Sequence, residues 1–132
     1  MTQMIQRAGL LKKLGAKHPF IVVYLELSTD GGLISLKNWI ASDNLAVIAV
    51  DAYQYFSLTS EDIWTLDNYV NPDTNHANTI VGYDDNIEYT EEGELRHGAF
   101  KIANSWGEGG WENIPDGCYW TSYEAMKQRV VY

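Results

Sequence analysis

Three histidines, one cysteine and a set of carboxamides are the side chains of this 132-residue sequence whose types suit proton transfer or nucleophilic attack. An imidazole exchanges protons near neutral pH, and a thiol attacks carbonyl carbon once it is a thiolate, so a cysteine and histidine pair is the chemistry to look for. Cys118 follows Asp116-Gly117 and precedes Tyr119-Trp120 in an expected strand. A lone cysteine in that setting behaves as a small buried hydrophobe. His18, before Pro19, and His97, in an acidic stretch, have no ligand-spaced partner, so no zinc site is expected. A histidine in a strand is by itself more often structural than reactive. His76 stands apart because of its company: Asn75-His76-Ala77-Asn78-Thr79-Ile80-Val81-Gly82-Tyr83-Asp84, then Gly98-Ala99-Phe100-Lys101-Ile102-Ala103-Asn104-Ser105-Trp106-Gly107, then Trp111.

The elements that must position these residues are legible in the pattern. Met4, Ala8, Leu11 and Leu14 fall near helical spacing, which predicts a first helix over residues 4 to 14. Phe20 to Leu27, rich in β-branched and aromatic residues and closed by Ser28-Thr29-Asp30-Gly31-Gly32, reads as a strand and turn. Leu33, Leu36 and Ile40 mark a second helix, ended by Ser42-Asp43-Asn44. Leu45 to Val50 is a continuous apolar run, the pattern of a strand buried on both faces. Residues 57 to 75 are polar but carry Trp64, Leu66 and Tyr69, which predicts an ordered loop packed on the surface. Strands are expected over 76 to 83, 98 to 104 and 117 to 123, and a short closing helix over 124 to 129. Asp84 to His97 reads as a hairpin excursion with Glu91, Glu92 and Glu94 as a solvated acidic tip. Trp39, Trp64 and Trp120 are read as packing aromatics.

Composition bounds the rest. At 45% hydrophobic and 20% charged, with five Trp and nine Tyr, the chain is apolar enough to fold as one compact unit. Nine basic against eighteen acidic residues disfavour nucleic-acid phosphates and anionic lipid as partners. The longest apolar run, Phe20 to Leu25, is far below the roughly 20 residues of a membrane-spanning helix, so no membrane is expected as a partner. The N-terminus does not read as a secretion signal. One cysteine excludes an internal disulfide.

The segments around His76 and Asn104 together resemble the papain-like cysteine peptidases. That family has a histidine opening a strand that ends in Val-Gly-Tyr, a strand running into Asn-Ser-Trp-Gly, a further Trp and a final Gly-aromatic strand, all found here in that order. The resemblance spans about residues 32 to 128 and implies an α+β fold: an antiparallel, barrel-like β domain with a packing helix, the right-hand domain of the papain-like fold. It divides the chain into an unassigned N-terminal segment, residues 1–31, and a peptidase C-terminal domain, residues 32–132. By resemblance His76 and Asn104 are the catalytic pair, the imidazole partnering a thiolate and the amide orienting it. Trp106 and Trp111 shield their hydrogen bond, and Ala49, Asn75 and Ala77 line the substrate site.

The family's nucleophilic cysteine and oxyanion-stabilising glutamine belong to an earlier half that these 132 residues do not contain. The resemblance therefore implies that the missing N-terminal half is a partner, with a peptide or protein as substrate and no cofactor or metal. The isolated chain is expected to be inactive and to expose an apolar cleft face bearing His76, Trp106 and Ala49, open to self-association. A secreted or lysosome-like compartment is compatible with the family. The alternative reading is a non-catalytic module that keeps the fold and holds peptide or protein. A rearranged site pairing Cys118 with His76 is a third.

Overall fold

The computed structural model describes residues 2–5 and 22–130. In chain order the elements are β1 (Thr2–Ile5), β2 (Val22–Leu25), α1 (Asp30–Ala41), β3 (Ala46–Val50), a 3-10 turn (Ala52–Gln54), β4 (Ile63–Trp64), β5 (His76–Glu91), β6 (Glu94–Ala103), β7 (Cys118–Ser122) and α2 (Tyr123–Arg129). β1 and β2 pair antiparallel, and the main sheet has the order β3-β5-β6-β7-β4. Every pairing in it is antiparallel except β4 with β7, which makes the sheet mixed. The α+β class, a sheet with a packing helix, is thus present. Met4 and Ile5 lie in a strand where helical spacing predicted a helix. Most of that expected helix, and the first residues of the expected strand at Phe20, lie outside the described residues.

Helix α1 starts where Thr29 caps it, its hydroxyl accepting the Gly32 N–H at 3.0 Å, with Asp30 in the first turn facing the positive end of the helix dipole. Leu33, Leu36 and Ile40 form its buried stripe, as their spacing requires. It stops at Ser42, whose N–H and hydroxyl both donate to Asn38 O, and Asp43 turns the chain away with a φ of 62°. The helix packs its stripe into a core with Ile48, Ile80, Phe100 and Ile102 of the sheet.

Strand β3 differs from its sequence reading. Ile48 is 2% exposed and Val50 is fully buried, whereas Val47 is 70% exposed. As an edge strand it presents alternate residues to the core and leaves the other face uncovered. The β5–β6 hairpin is longer than expected: both strands continue through the polar excursion to a two-residue turn at Glu92-Gly93, whose φ values of 52° and 79° suit a tight hairpin. Glu92 and Glu94 are exposed as read, but Glu91 is only 1% exposed. Its carboxylate accepts the Leu66 N–H at 3.0 Å and the Ser122 hydroxyl, tying the hairpin tip to the loop over residues 57 to 75. That loop is ordered around buried Trp64, Leu66 and Tyr69 and contributes the two residues of β4, too short to carry a sequence pattern.

One glycine in the hairpin is required by its surroundings. Gly98 has a φ of 94°, and a Cβ there would lie 2.3 Å from the Tyr123 ring. Gly98→Ala therefore meets both backbone strain and a clash. A loss of at least about 1–3 kcal/mol is expected, read as a lowered urea midpoint.

Candidate active site

His76 opens β5 opposite Val50 of β3, and Asn104 follows the last residue of β6. Backbone pairing carries the two strands side by side, with Ile80 opposite Ile102 and Thr79 opposite Ala103. His76, Asn78 and Ile80 share one face of β5 by the two-residue period of a strand, and Ile102 and Asn104 share the corresponding face next door. The imidazole Nε2 consequently lies 3.0 Å from Asn104 Oδ1, with the Ser105 hydroxyl 3.3 Å from the same nitrogen. Asn104 is held in place by its own backbone, whose N–H donates to Gly117 O at 2.8 Å.

Trp106 lies beside this contact. Its ring centre is 5.5 Å from that of His76, and Phe56 stacks on it at 5.2 Å and 13°. Trp111 packs edge-on to Trp106 at 5.4 Å, and Tyr55 touches both indoles. Gly110 lets the loop close on itself, since a Cβ there would meet Trp106 O at 2.0 Å. The aromatic wall thus comes from residues 55, 56, 106 and 111, of which pattern reading picked out only the two tryptophans. Tyr55 and Phe56 follow a strand without any periodic signal of their own.

Beneath the pair lies a buried polar cluster that the sequence did not announce. Asn78, 3% exposed, donates from Nδ2 to Ala77 O at 2.9 Å and to Asn104 Oδ1 at 3.2 Å. Its Oδ1 accepts from the Tyr119 hydroxyl at 2.8 Å and the Tyr55 hydroxyl at 3.1 Å. Burial pushes both phenols well above their ordinary range; for Tyr55 the Asn78 and Asn104 amides partly oppose the rise. Both therefore stay protonated and able to donate. Asn104 Nδ2 is buried without a hydrogen-bond partner of acceptable geometry among the described residues.

Asn75 is exposed, but its side chain is engaged in shaping the turn after β3. Nδ2 donates to the Asp51 carboxylate and Oδ1 accepts the Ala52 N–H at 2.9 Å. Burial alone would raise the Asp51 pKa, but hydrogen bonds from Gln54, Asn75 and the Tyr53 N–H outweigh it and hold it below the usual carboxylate value. Ala49 and Ala77 are directly paired in the β3–β5 register. They lie on the sheet face opposite the core, beside exposed Val47 and Val81.

Cys118 is on that opposite face too. It pairs with Ala103, which pairs with Thr79, so it is two strands across and three residues along from His76, a separation of about 14 Å. Burial raises its thiol pKa, with Lys101 partly opposing this, which is contrary to what an activated thiol needs. The structure does not bring Cys118 and His76 together.

A sheet that sets an imidazole against a carboxamide beside an indole is the arrangement of a cysteine-type peptidase domain. Residues 22–125 match the sequence model described as papain family cysteine protease. The chain belongs to the papain family of cysteine proteases. The match begins within the N-terminal segment that motif reading left unassigned. No curated protein matches. Eight chains of solved structures do. One is the clostridial cysteine protease Cwp84, a cysteine-to-alanine variant after propeptide cleavage, which is similar at 26% identity and a TM-score of 0.54. That similarity covers 74% of this chain and 23% of Cwp84, so this chain corresponds to about a quarter of that protein.

Proposed function

We propose that the chain is the imidazole- and amide-bearing lobe of a papain-type peptidase, completed by a lobe that supplies the nucleophilic cysteine. The observation that carries this reading is the His76 Nε2 to Asn104 Oδ1 contact at 3.0 Å beside Trp106. It leaves Nδ1 as the nitrogen available to a thiol. In that role the imidazole takes the thiol proton, the resulting thiolate attacks the peptide carbonyl, and Nδ1–H protonates the departing amine. Water then cleaves the acyl-enzyme with the imidazole as base. Asn104 accepts from Nε2–H in both protonation states without adding a negative charge that would compete with the thiolate. Trp106 and Trp111 limit water access to that hydrogen bond, strengthening it.

A second observation supports a covering lobe. The run from Leu45 to Val50 is apolar on both strand faces, yet Leu45 and Val47 are exposed and only the alternate residues reach the core. A sequence that is apolar toward solvent over a whole strand face calls for a partner surface there. Ala49 and Ala77, to which the resemblance gives a substrate-lining role, lie on this face, across the strand from the His76 side chain, so a substrate held there reaches the imidazole round the start of β5, where Ala77 adjoins His76. Asn75 contributes by holding the turn that leads into the site.

The test is direct. The purified 132-residue chain is expected to show no hydrolysis of peptide substrates, with or without prior thiol alkylation. Refolding it with a cysteine-bearing lobe is expected to generate activity that alkylation abolishes. Hydrolysis by the chain alone that survives alkylation overturns the proposal.

A further inference from the structure

The amide at position 78 makes four hydrogen bonds, and their chemistry is directional. Ala77 O is a backbone carbonyl and can only accept, so the atom of the Asn78 amide lying 2.9 Å from it must be the NH2 group. The carboxamide oxygen is then the end facing the Tyr55 and Tyr119 hydroxyls, which donate to it. The second proton of Asn78 Nδ2 points to Asn104 at 3.2 Å, so the atom of Asn104 that receives it must be an acceptor, the oxygen. That same oxygen lies 3.0 Å from His76 Nε2. An oxygen there requires a proton on Nε2, leaving the lone pair of the neutral ring on Nδ1.

We infer that Asn78 is a positioning residue that sets the tautomer of His76, acting through the orientation of the Asn104 amide. Among the described residues Asn104 Nδ2 has no partner in hydrogen-bond geometry, although the Tyr55 hydroxyl lies near that amide, and the Ser105 hydroxyl can donate or accept and so is indifferent to the tautomer. The chain of constraint runs from a fixed backbone carbonyl through two amides to an imidazole. The buried tyrosines satisfy the amide oxygen that this arrangement turns inward, at a strand position whose flanking core neighbours, Ile48 and Ile80, are apolar.

The catalytic meaning of this tautomer rests on the proposed peptidase function, but the tautomer itself does not. It is read in the 132-residue chain by long-range proton–nitrogen spectra of labelled imidazoles, above the pH at which they titrate, with His76 assigned by its loss in His76→Gln. The parent is expected to favour Nε2–H over Nδ1–H by more than about tenfold, because the other tautomer sets two lone pairs against each other. Tyr55→Phe/Tyr119→Phe keeps Asn78 and its Ala77 contact and is expected to retain that preference. Asn78→Val removes the donor, and the preference is expected to fall to that of a free histidine. Should the single variant fail to fold because two tyrosine hydroxyls are orphaned, Tyr55→Phe/Asn78→Val/Tyr119→Phe removes those groups as well and gives the same reading in an apolar cluster.

A folded variant lacking Asn78 that keeps the parent's tautomer preference overturns the inference, as does a parent chain dominated by Nδ1–H. Failure of the refolded two-lobe protein to cleave peptides, with the tautomer still responding to Asn78, sinks the peptidase reading and leaves this one standing.

Discussion

Replacing His76 by alanine is expected to lower kcat/KM by about 10²–10⁴-fold in the peptidase formed by this chain and a cysteine-bearing lobe. In the proposed mechanism the imidazole takes the thiol proton and returns it to the leaving amine, and Nδ1 is the atom left available for both once Nε2 engages Asn104 at 3.0 Å. The loss should fall on kcat rather than KM, since Ala49 and Ala77, the positions proposed to line the substrate site, are untouched by the substitution. Asn104→Ala should cost less, because the imidazole remains and loses only its orientation. A steady-state comparison at saturating substrate checks both, with alkylation as the control that the measured rate depends on thiol. A His76→Ala protein within threefold of the parent would show that the proton is carried by another group.

Trp64→Ala is expected to destabilise the chain by about 3–5 kcal/mol, the range for deleting a large buried aromatic. Trp64 is fully buried, stacks on Tyr69 with ring centres 3.7 Å apart and meets Tyr55 and Tyr119 edge-on. Its indole N–H has no hydrogen-bond partner among the described residues, so the loss is of packing and not of a polar contact. Against a total stability of about 5–15 kcal/mol for an ordinary domain, that removes a large share. Urea denaturation followed by tyrosine and tryptophan fluorescence measures it, and a midpoint unchanged from the parent would mean that the loop bearing Trp64 is not part of the cooperative core. Because Tyr55 and Tyr119 also hold the Asn78 amide, partial loosening should reach the His76 signal as well.

Some elements were legible because one local period decided them. The stripe Leu33, Leu36 and Ile40 needs only the helical repeat, and Thr29 and Ser42 cap it through their own hydroxyls. The strands expected over 76 to 83 and 98 to 104 lie within β5 and β6, although Asn104 itself falls just past the end of β6. Others were not legible. The run Leu45 to Val50 is equally apolar on both sides, and nothing local says that β3 takes the sheet edge with Val47 open. Glu91 looked like one more charge at an acidic tip, yet the parallel pairing of β4 with β7 and the long hairpin enclose it against Leu66 and Ser122.

The residue types and their order along the chain determined by themselves that an imidazole, a carboxamide and two indoles belong to one family pattern. Residue order is a property of the chain alone, and that pattern needs no coordinates. Only the tertiary structure decided that strands 28 residues apart place Nε2 within hydrogen-bond reach of Asn104, and that Asn78, Tyr55 and Tyr119 converge beneath them. Sheet pairing joins residues distant in sequence, and a hydrogen bond's direction depends on every neighbour of the amide at once, so neither is encoded in any window short enough to read.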